Sequence, residues 1–272
     1  MNKLSWVNMN LVKRVGCIAV VGGSLLICFL GISMNAGQRQ QQKIEYAEIT
    51  IRNETEKIKF LDKLVGELYK DETEEFLVNP IEELQIKQLE TKVNQLKTEA
   101  ADFGLKSNHL PLDISQIAED KQKLASKLAD IRTKYTIQQQ VQEMLVQAPE
   151  NWEATGEAVI INEKATAENL LKLHNDVVQF NSVWSNGISV YLNEMDAQVN
   201  LYNEIQQGID KMIDGQNLTS EATLEAFIHQ FNQVSQVKNT TLRKRLSERL
   251  EQVDQLMNAQ IIGEENLLEE PI

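Results

Sequence analysis

The stretch "IEYAEITIRNETEKIKFLDKLVGEL", residues 44–68, has an apolar side chain at every seventh position. These positions hold Ile44, Ile51, Ile58 and Val65, and the companion positions hold Leu61 and Leu68. Heptad spacing of this kind places the apolar side chains along one face of an α-helix. Glu54 occupies a position where an apolar residue is expected. Two alternatives therefore stay open: a dimeric, coiled-coil-like stalk, or a helix packed into the bundle of its own chain.

The rest of the polar part also has the composition of a helical protein. Only 6% of the residues are aromatic, and the chain holds four prolines and twelve glycines. Further apolar stripes with a spacing of three to four residues run through about 80–96, 113–146, 163–213, 219–234 and 239–257. This spacing is typical of amphipathic helices. The predicted fold class is all-α.

Local signals predict where these helices begin and end. Asn79-Pro80 and Asp113 are expected to start helices, and Asn186-Gly187 is the one expected interruption of the long helical region. Asp214-Gly215 should end that region, and Thr219 or Ser220 should cap the next helix. Between helices, "AVII" (158–161) is predicted to be a short extended piece.

An uncharged stretch near the amino terminus, Val15 to Met34, is 20 residues long. A helix of that length spans about 30 Å, the thickness of the hydrocarbon core of a bilayer. Signal-peptide cores are shorter, about 7–15 residues, although cleavage near Gly31 and Ser33 remains an alternative. The stretch is predicted to be a transmembrane helix, and its small residues are either a candidate packing face or an instance of the glycines that are common in membrane helices. These small residues are Ala19, Gly22 and Gly23.

Charge predicts the orientation of this helix. Lys3, Lys13 and Arg14 precede it, and basic residues stay on the cytoplasmic side of a membrane. The amino terminus is therefore expected inside the cell and residues 35–272 outside. The external part holds 40 acidic and 24 basic side chains, so nucleic acid is not an expected partner.

The predicted organisation has seven segments. They are a short cytoplasmic segment (1–14), the transmembrane helix (15–34), a spacer and helical stalk (35–60), a first helical unit (61–148), a connecting segment with a long helix (149–196), a second helical unit (197–260) and an acidic disordered tail (261–272).

The two helical units are predicted to be similar because part of the sequence repeats. "ELQIKQLETKVNQL" (83–96) aligns without a gap on "EATLEAFIHQFNQV" (221–234). The alignment matches Ile86 with Leu224, Leu89 with Phe227, Val93 with Phe231 and Leu96 with Val234. Chance similarity between amphipathic helices is the alternative explanation.

A family resemblance rests on four quoted segments. They are "VGELYKDETEEFLVNP" (65–80), "LETKVNQLK" (89–97), "LPLDISQIAEDKQKLASKL" (110–128) and "AVIINEKATAENLLKL" (158–173). Their spacing resembles helical modules of Gram-positive surface proteins, in particular the first extracellular domain of the MapZ family. The resemblance implies a helical scaffold outside the membrane and raises the question of a role in cell division. The chain lacks that family's Ser-rich linker and wall-binding domain, so the resemblance does not imply septum marking.

No motif predicts catalysis. The histidines at 109, 174 and 229 lack the spacing of a metal site, and no phosphate-binding glycine loop or Gly-x-Ser-x-Gly motif is present. Both cysteines, Cys17 and Cys28, lie in the apolar stretch. We expect no enzyme activity, no cofactor and no metal.

Two features are candidates for binding a partner. Trp152 and Trp184 lie beside predicted breaks and are either exposed anchors or core residues. A dense basic run holds Arg243, Lys244, Arg245 and Arg249. It is either a contact for acidic partners such as wall polymers, or a solvated helix face paired with Glu248 and Glu251.

These observations predict a single-pass membrane protein of a Gram-positive envelope that binds other envelope or membrane proteins through a helical scaffold. A homodimer is compatible with the heptad stretch. The alternative function is a structural or accessory subunit of a multiprotein membrane machine, for secretion, conjugation or division.

Overall fold

The computed structural model describes residues 36–103, 114–153 and 159–268. Within these ranges the α-helices are α1 (Ala36–Gly66), α2 (Glu83–Asn94), α3 (Ser115–Glu143), α4 (Ala167–Val177), α5 (Val183–Met212), α6 (Leu224–Val234) and α7 (Thr240–Leu268). A 3-10 helix covers Ala100–Phe103. The short strands β1 (Ile213–Asp214) and β2 (Asn217–Leu218) pair antiparallel. The all-α prediction is confirmed.

Contacts divide the chain into two compact units, residues 1–53 with 99–114 and residues 54–98 with 115–272. In the described part of the smaller unit, Ala47, Ile51 and Phe103 are buried. The 3-10 helix begins where the backbone N–H of Glu99 donates to the Asp102 carboxylate at 2.9 Å. The larger unit contains the remaining helices and the main core.

The predicted membrane segment, 15–34, lies outside the described residues, and so do Ala19, Gly22 and Gly23. Among the helices that the structure does describe, none has the length and apolar character needed to cross a bilayer.

The heptad stripe of α1 is buried in the larger unit at Ile58, Leu61 and Val65. Glu54, the residue that breaks the apolar pattern, is buried as well. Its carboxylate lies 2.7 Å from Lys57 Nζ and accepts the backbone N–H of Lys97 at 3.3 Å. A buried carboxylate is tolerated when it is paired and hydrogen-bonded. This stretch therefore packs within its own chain, as one of the two alternatives predicted.

Helix α5 is the centre of the larger unit. Helices α4, α6 and α7 all pack against it. Its buried side chains extend over its whole length and include Trp184, Ile188, Leu192, Met195, Ile205, Ile209 and Met212. The helix begins at a capping box, in which the Ser182 hydroxyl accepts the N–H of Ser185 at 3.1 Å and the Ser185 hydroxyl accepts the N–H of Ser182.

The predicted break at Asn186-Gly187 is wrong: the long helical region is interrupted at 178–182, and Gly187 lies inside α5. A Cβ at Gly187 would stand 2.9 Å from the Trp152 carbonyl oxygen and 3.4 Å from the Phe76 ring. The glycine therefore allows close packing against α5 and does not end a helix.

Two predicted helix starts are also displaced. Helix α2 begins at Glu83, because the Asn79 side chain donates to the carbonyls of Pro149 and Glu150 at 3.2 and 3.0 Å and does not cap the helix. Helix α6 begins after Thr223, whose hydroxyl accepts the N–H of Ala226 at 3.1 Å. The predicted cap Asp113 lies outside the described residues.

Other local predictions hold. The long region ends in a hairpin turn at Asp214-Gly215, where Gly215 has a φ of 63°, and Leu145 forms an antiparallel bridge with Ile161 of the "AVII" segment. The tail predicted to be disordered from 261 is corrected in part, since α7 continues to Leu268.

Adjacent leucines on α4 provide a matched stability test. Leu170 is fully buried in the core and Leu171 is exposed. Leu170→Ala should lower the free energy of unfolding by about 2–5 kcal/mol, because it leaves a cavity. Leu171→Ala should change it by less than about 0.5 kcal/mol. Denaturant unfolding of the full chain in mild detergent measures both; equal losses would contradict the packing described.

Candidate functional site

The two candidate tryptophan anchors are core residues. Trp152 packs on Tyr191 with ring centroids 5.3 Å apart, and the Tyr191 hydroxyl donates to the Asn151 carbonyl at 2.7 Å. Trp184 is completely buried and meets the edge of Phe180 at 5.2 Å. The exposed-anchor interpretation is therefore corrected: neither indole offers surface to a partner.

A cluster centred on the buried Lys134 connects Trp184 with the 67–78 segment. Lys134 Nζ lies 5.8 Å from the centre of the Trp184 ring and 5.3 Å from that of Tyr69. It also pairs with Asp130 at 2.9 Å, and the Tyr69 hydroxyl donates to the same carboxylate at 3.0 Å. Burial, and then the Asp130 charge, raise the pKa of the Tyr69 phenol far above its usual value. The tyrosine therefore stays neutral and serves as a hydrogen-bond donor.

The basic run on α7 is compensated by acidic side chains. Arg245 pairs with Glu163 at 2.7 Å, Arg249 pairs with Asp210, and Lys244 lies 3.6 Å from Glu248. Arg243 reaches the Val237 carbonyl at 3.5 Å. The predicted pairing within the helix is found only for Lys244 with Glu248, because Arg245 and Arg249 find their acids on other elements and Glu251 pairs with no base among the described residues. Three of the four bases thus have an acidic partner, which reduces the positive charge that the run offers to an acidic polymer.

No group of three or more His, Cys, Asp or Glu in the described ranges is arranged to hold a metal ion. Of the predicted histidines, His174 pairs with Asp196 at 2.6 Å between α4 and α5, and His229 is exposed on α6. His109 lies outside the described residues.

The feature that stands out is an exposed apolar face on α6. Leu224, Ile228 and Phe231 are exposed and spaced at i, i+4 and i+7. Phe231 stacks on Phe227 with centroids 6.3 Å apart, so the face is partly ordered by its own side chains. Three anchors with this spacing match the way one amphipathic helix recognises another. We call these three residues the α6 face.

A groove adjoins the α6 face where α6 packs on α7. Its volume is about 350 Å³, and its lining consists of Phe227, Phe231, Val234, Ser247, Leu250, Glu251 and Asp254. The apolar lining comes mainly from α6, while α7 contributes the two exposed carboxylates. The groove and the α6 face are the candidate functional site.

The phase of α6 explains why its apolar side chains point outward. Gln230 and Val234 are the buried residues of this helix and Phe227 packs partly against the core, which leaves Leu224, Ile228 and Phe231 at the surface. Gln230 sits directly over Gly208 of α5, where a Cβ would come within 2.3 Å of its Nε2 atom. The glycine thus leaves the space that the buried Gln230 side chain occupies.

The aligned helix α2 has the opposite arrangement. Its apolar stripe is buried, and α3 packs against it. Arg132 of α3 binds the Glu90 carboxylate of α2 with two hydrogen bonds, at 2.9 and 2.8 Å. The hydrogen bonds from Arg132 lower the pKa of Glu90, against the opposing effect of burial. Helix α3 therefore covers the apolar stripe of α2, and its Arg132 neutralises the charge of Glu90.

The negative charge beside the α6 face is not neutralised by any basic side chain of the described residues. Glu251 and Asp254 are exposed, and neither forms an ion pair within the part of the chain that the structure describes. The sequence already marked Leu224, Phe227 and Phe231 as a stripe, but a stripe is ordinarily expected to be buried. Only the rotation of α6 shows that this one is available.

Comparison with known proteins gives no relative: no protein family model, no curated protein and no solved structure matches the chain.

The Arg132–Glu90 pair predicts a pH-dependent contribution to stability. Because the folded-state pKa of Glu90 lies below its ordinary value of 4.5, the pair stabilises the fold above that pH and loses its effect as the pH falls through the folded-state pKa. Glu90→Gln should therefore cost up to about 1 kcal/mol at pH 7, a small value because the pair is partly exposed.

The difference between wild type and Glu90→Gln should shrink below pH 4.5, as measured by thermal unfolding across pH. Glu251→Gln is the matched control, since this exposed carboxylate has no ion pair among the described residues, and its substitution should leave stability nearly unchanged at every pH. A constant difference for Glu90→Gln would show that the pair is not the cause.

Proposed function

We propose that the protein is a membrane-anchored scaffold of a Gram-positive cell envelope that binds other proteins outside the cell membrane, and that it is not an enzyme. The anchor and the orientation rest on the uncharged stretch 15–34 and on the basic residues before it. The scaffold role rests on the helical bundle, whose core is closed around α5.

The observation that carries the binding role is the α6 face. Monomeric proteins scatter single apolar residues over the surface, whereas contiguous apolar patches are typical of interaction sites. Leu224, Ile228 and Phe231 lie on one side of one helix, and Phe231 also lines the α6–α7 groove. A seven-residue spacing extends over about 10 Å, which is two turns of a bound helix.

The proposal includes two finer alternatives. A link to cell division or wall organisation comes from the resemblance to the MapZ modules. Membership of a larger membrane machine is supported by the small residues Ala19, Gly22 and Gly23, which would let the anchor pack on other membrane helices. Contact with wall polymers has less support, because the bases of α7 are compensated by Glu163, Asp210 and Glu248.

Topology is tested with a protease added to intact cells. We expect digestion of epitopes within residues 35–272 and protection of an epitope at the amino terminus, because the basic flank remains inside. Permeabilised cells are the control, in which both epitopes should be lost. Full protection of the carboxyl-terminal epitope in intact cells would overturn the proposed orientation.

The binding role is tested by photocross-linking in living cells. A photoreactive phenylalanine analogue at Ile228 should give a discrete protein adduct, and the same analogue at Lys172, an exposed position on α4, should not. Adding Phe231→Ser to the Ile228 probe should reduce the adduct about tenfold or more, because it removes a neighbouring aromatic anchor. Equal adducts at both positions, or none at Ile228, would contradict the proposal.

A further inference from the structure

The two aligned helices differ in one respect that points to a missing partner. Ile86 and Val93 of α2 are 0% and 2% exposed, whereas the matching Leu224 and Phe231 of α6 are 65% and 63% exposed. The fourth matched pair, Leu96 and Val234, is 5% exposed in both places. The remaining pair differs less, since Leu89 is buried and Phe227 is half-buried against the core. Part of the stripe that is covered in α2 is therefore uncovered in α6.

The helix that covers α2 shows what kind of surface fits such a stripe. Helix α3 packs against α2 and buries Leu124, Leu128 and Ile131. Its segment 121–134, "KQKLASKLADIRTK", holds five basic residues and one acidic residue. Two of the bases contact the chain around α2: Lys121 donates to the Leu96 carbonyl at 2.7 Å, and Arg132 binds Glu90. The segment of α3 that contacts α2 is therefore basic and amphipathic, although α3 as a whole holds five basic and four acidic residues.

The α6 face calls for the same kind of charge. The groove beside it carries Glu251 and Asp254, which lack ion pairs within the described ranges. The bases of α7 do not compensate them, because Arg245 and Arg249 bind acids elsewhere in the bundle. An apolar helix with Lys or Arg beside its anchors would bury the three apolar side chains and neutralise both carboxylates.

A second copy of α6 does not meet this requirement. The sequence of α6, "LEAFIHQFNQV", contains neither Lys nor Arg. A symmetric contact between two α6 faces would also bring the acidic grooves of both copies together, which is unfavourable. The acidic rim repels an anionic lipid surface as well.

We propose that the α6 face and its groove bind a basic amphipathic helix of another protein. The apolar side chains of that helix pack on Leu224, Ile228 and Phe231, and its Lys or Arg side chains pair with Glu251 and Asp254. This inference rests on the proposed binding function and adds the chemistry of the partner. The partner helix takes the place on α6 that α3 takes on α2.

The experiment uses the full chain in nanodiscs of zwitterionic phosphatidylcholine and two labelled peptides. One peptide has the sequence of residues 121–134, and the other has glutamine at its five basic positions. Fluorescence anisotropy should show the basic peptide binding at least about tenfold tighter, with a preference that decreases as salt is raised.

Variants assign this preference to the groove. Glu251→Gln with Asp254→Asn should weaken the basic peptide by about two- to fivefold for each carboxylate, whereas Glu119→Gln with Glu168→Gln, at exposed acids on α3 and α4, should have little effect. Phe231→Ser should weaken the binding of both peptides, because it removes an apolar side chain of the α6 face that both peptides contact.

The other outcomes separate this inference from the proposed function. Equal binding of the two peptides, weakened by Phe231→Ser, would overturn the basic partner and leave the binding role intact. A dimer in sedimentation that is lost with Phe231→Ser would show that a second copy is the occupant and overturn the inference. Absence of peptide binding together with a persistent Ile228 cross-link would overturn the inference alone, and absence of both would overturn both proposals.

Discussion

The continuous burial of α5 is the constraint on which the larger unit depends. From Trp184 to Met212 this helix presents apolar side chains to α4, α6 and α7, so each of these helices is placed by its contact with one element. Close packing of this kind leaves little freedom to shift. The start of α5 also positions the 67–78 segment. Lys134 lies between the Tyr69 and Trp184 rings, and the Glu75 carboxylate accepts the Trp184 backbone N–H at 3.1 Å.

Buried charged groups in this core have specific partners, whereas several buried neutral polar atoms of the described residues do not. Glu54 and Lys134 are buried, and each has a charged partner together with a backbone hydrogen bond. Gln230 is buried too, but its Oε1 atom has no hydrogen-bond partner among the described residues. A buried polar atom without a partner costs about 1–3 kcal/mol. The same kind of cost arises at Gln138 Nε2 on α3 and Trp184 Nε1 on α5.

The periodicity of the sequence was sufficient to predict the helices but not their rotation. The stripes at Ile58, Leu128 and Leu192 predict helices that the structure contains, because the side-chain spacing of a buried helix is a local property. The break expected at Gly187 failed because a glycine that allows close packing has the same local sequence as one that ends a helix. The exposure of the α6 face could not be predicted for a similar reason. Which side of α6 faces inward is set by its packing on α5, where Gln230 meets Gly208, and this contact exists only in the folded chain.

The contact of Gln230 with Gly208 joins two helices at a point where one of them has no side chain. A Cβ at position 208 would stand 2.3 to 2.8 Å from the end of the Gln230 side chain, so any larger residue there would force the glutamine out of its buried place. Positions 208 and 230 therefore form one pair: the residues that either can hold depend on the other, although 22 positions separate them in the sequence.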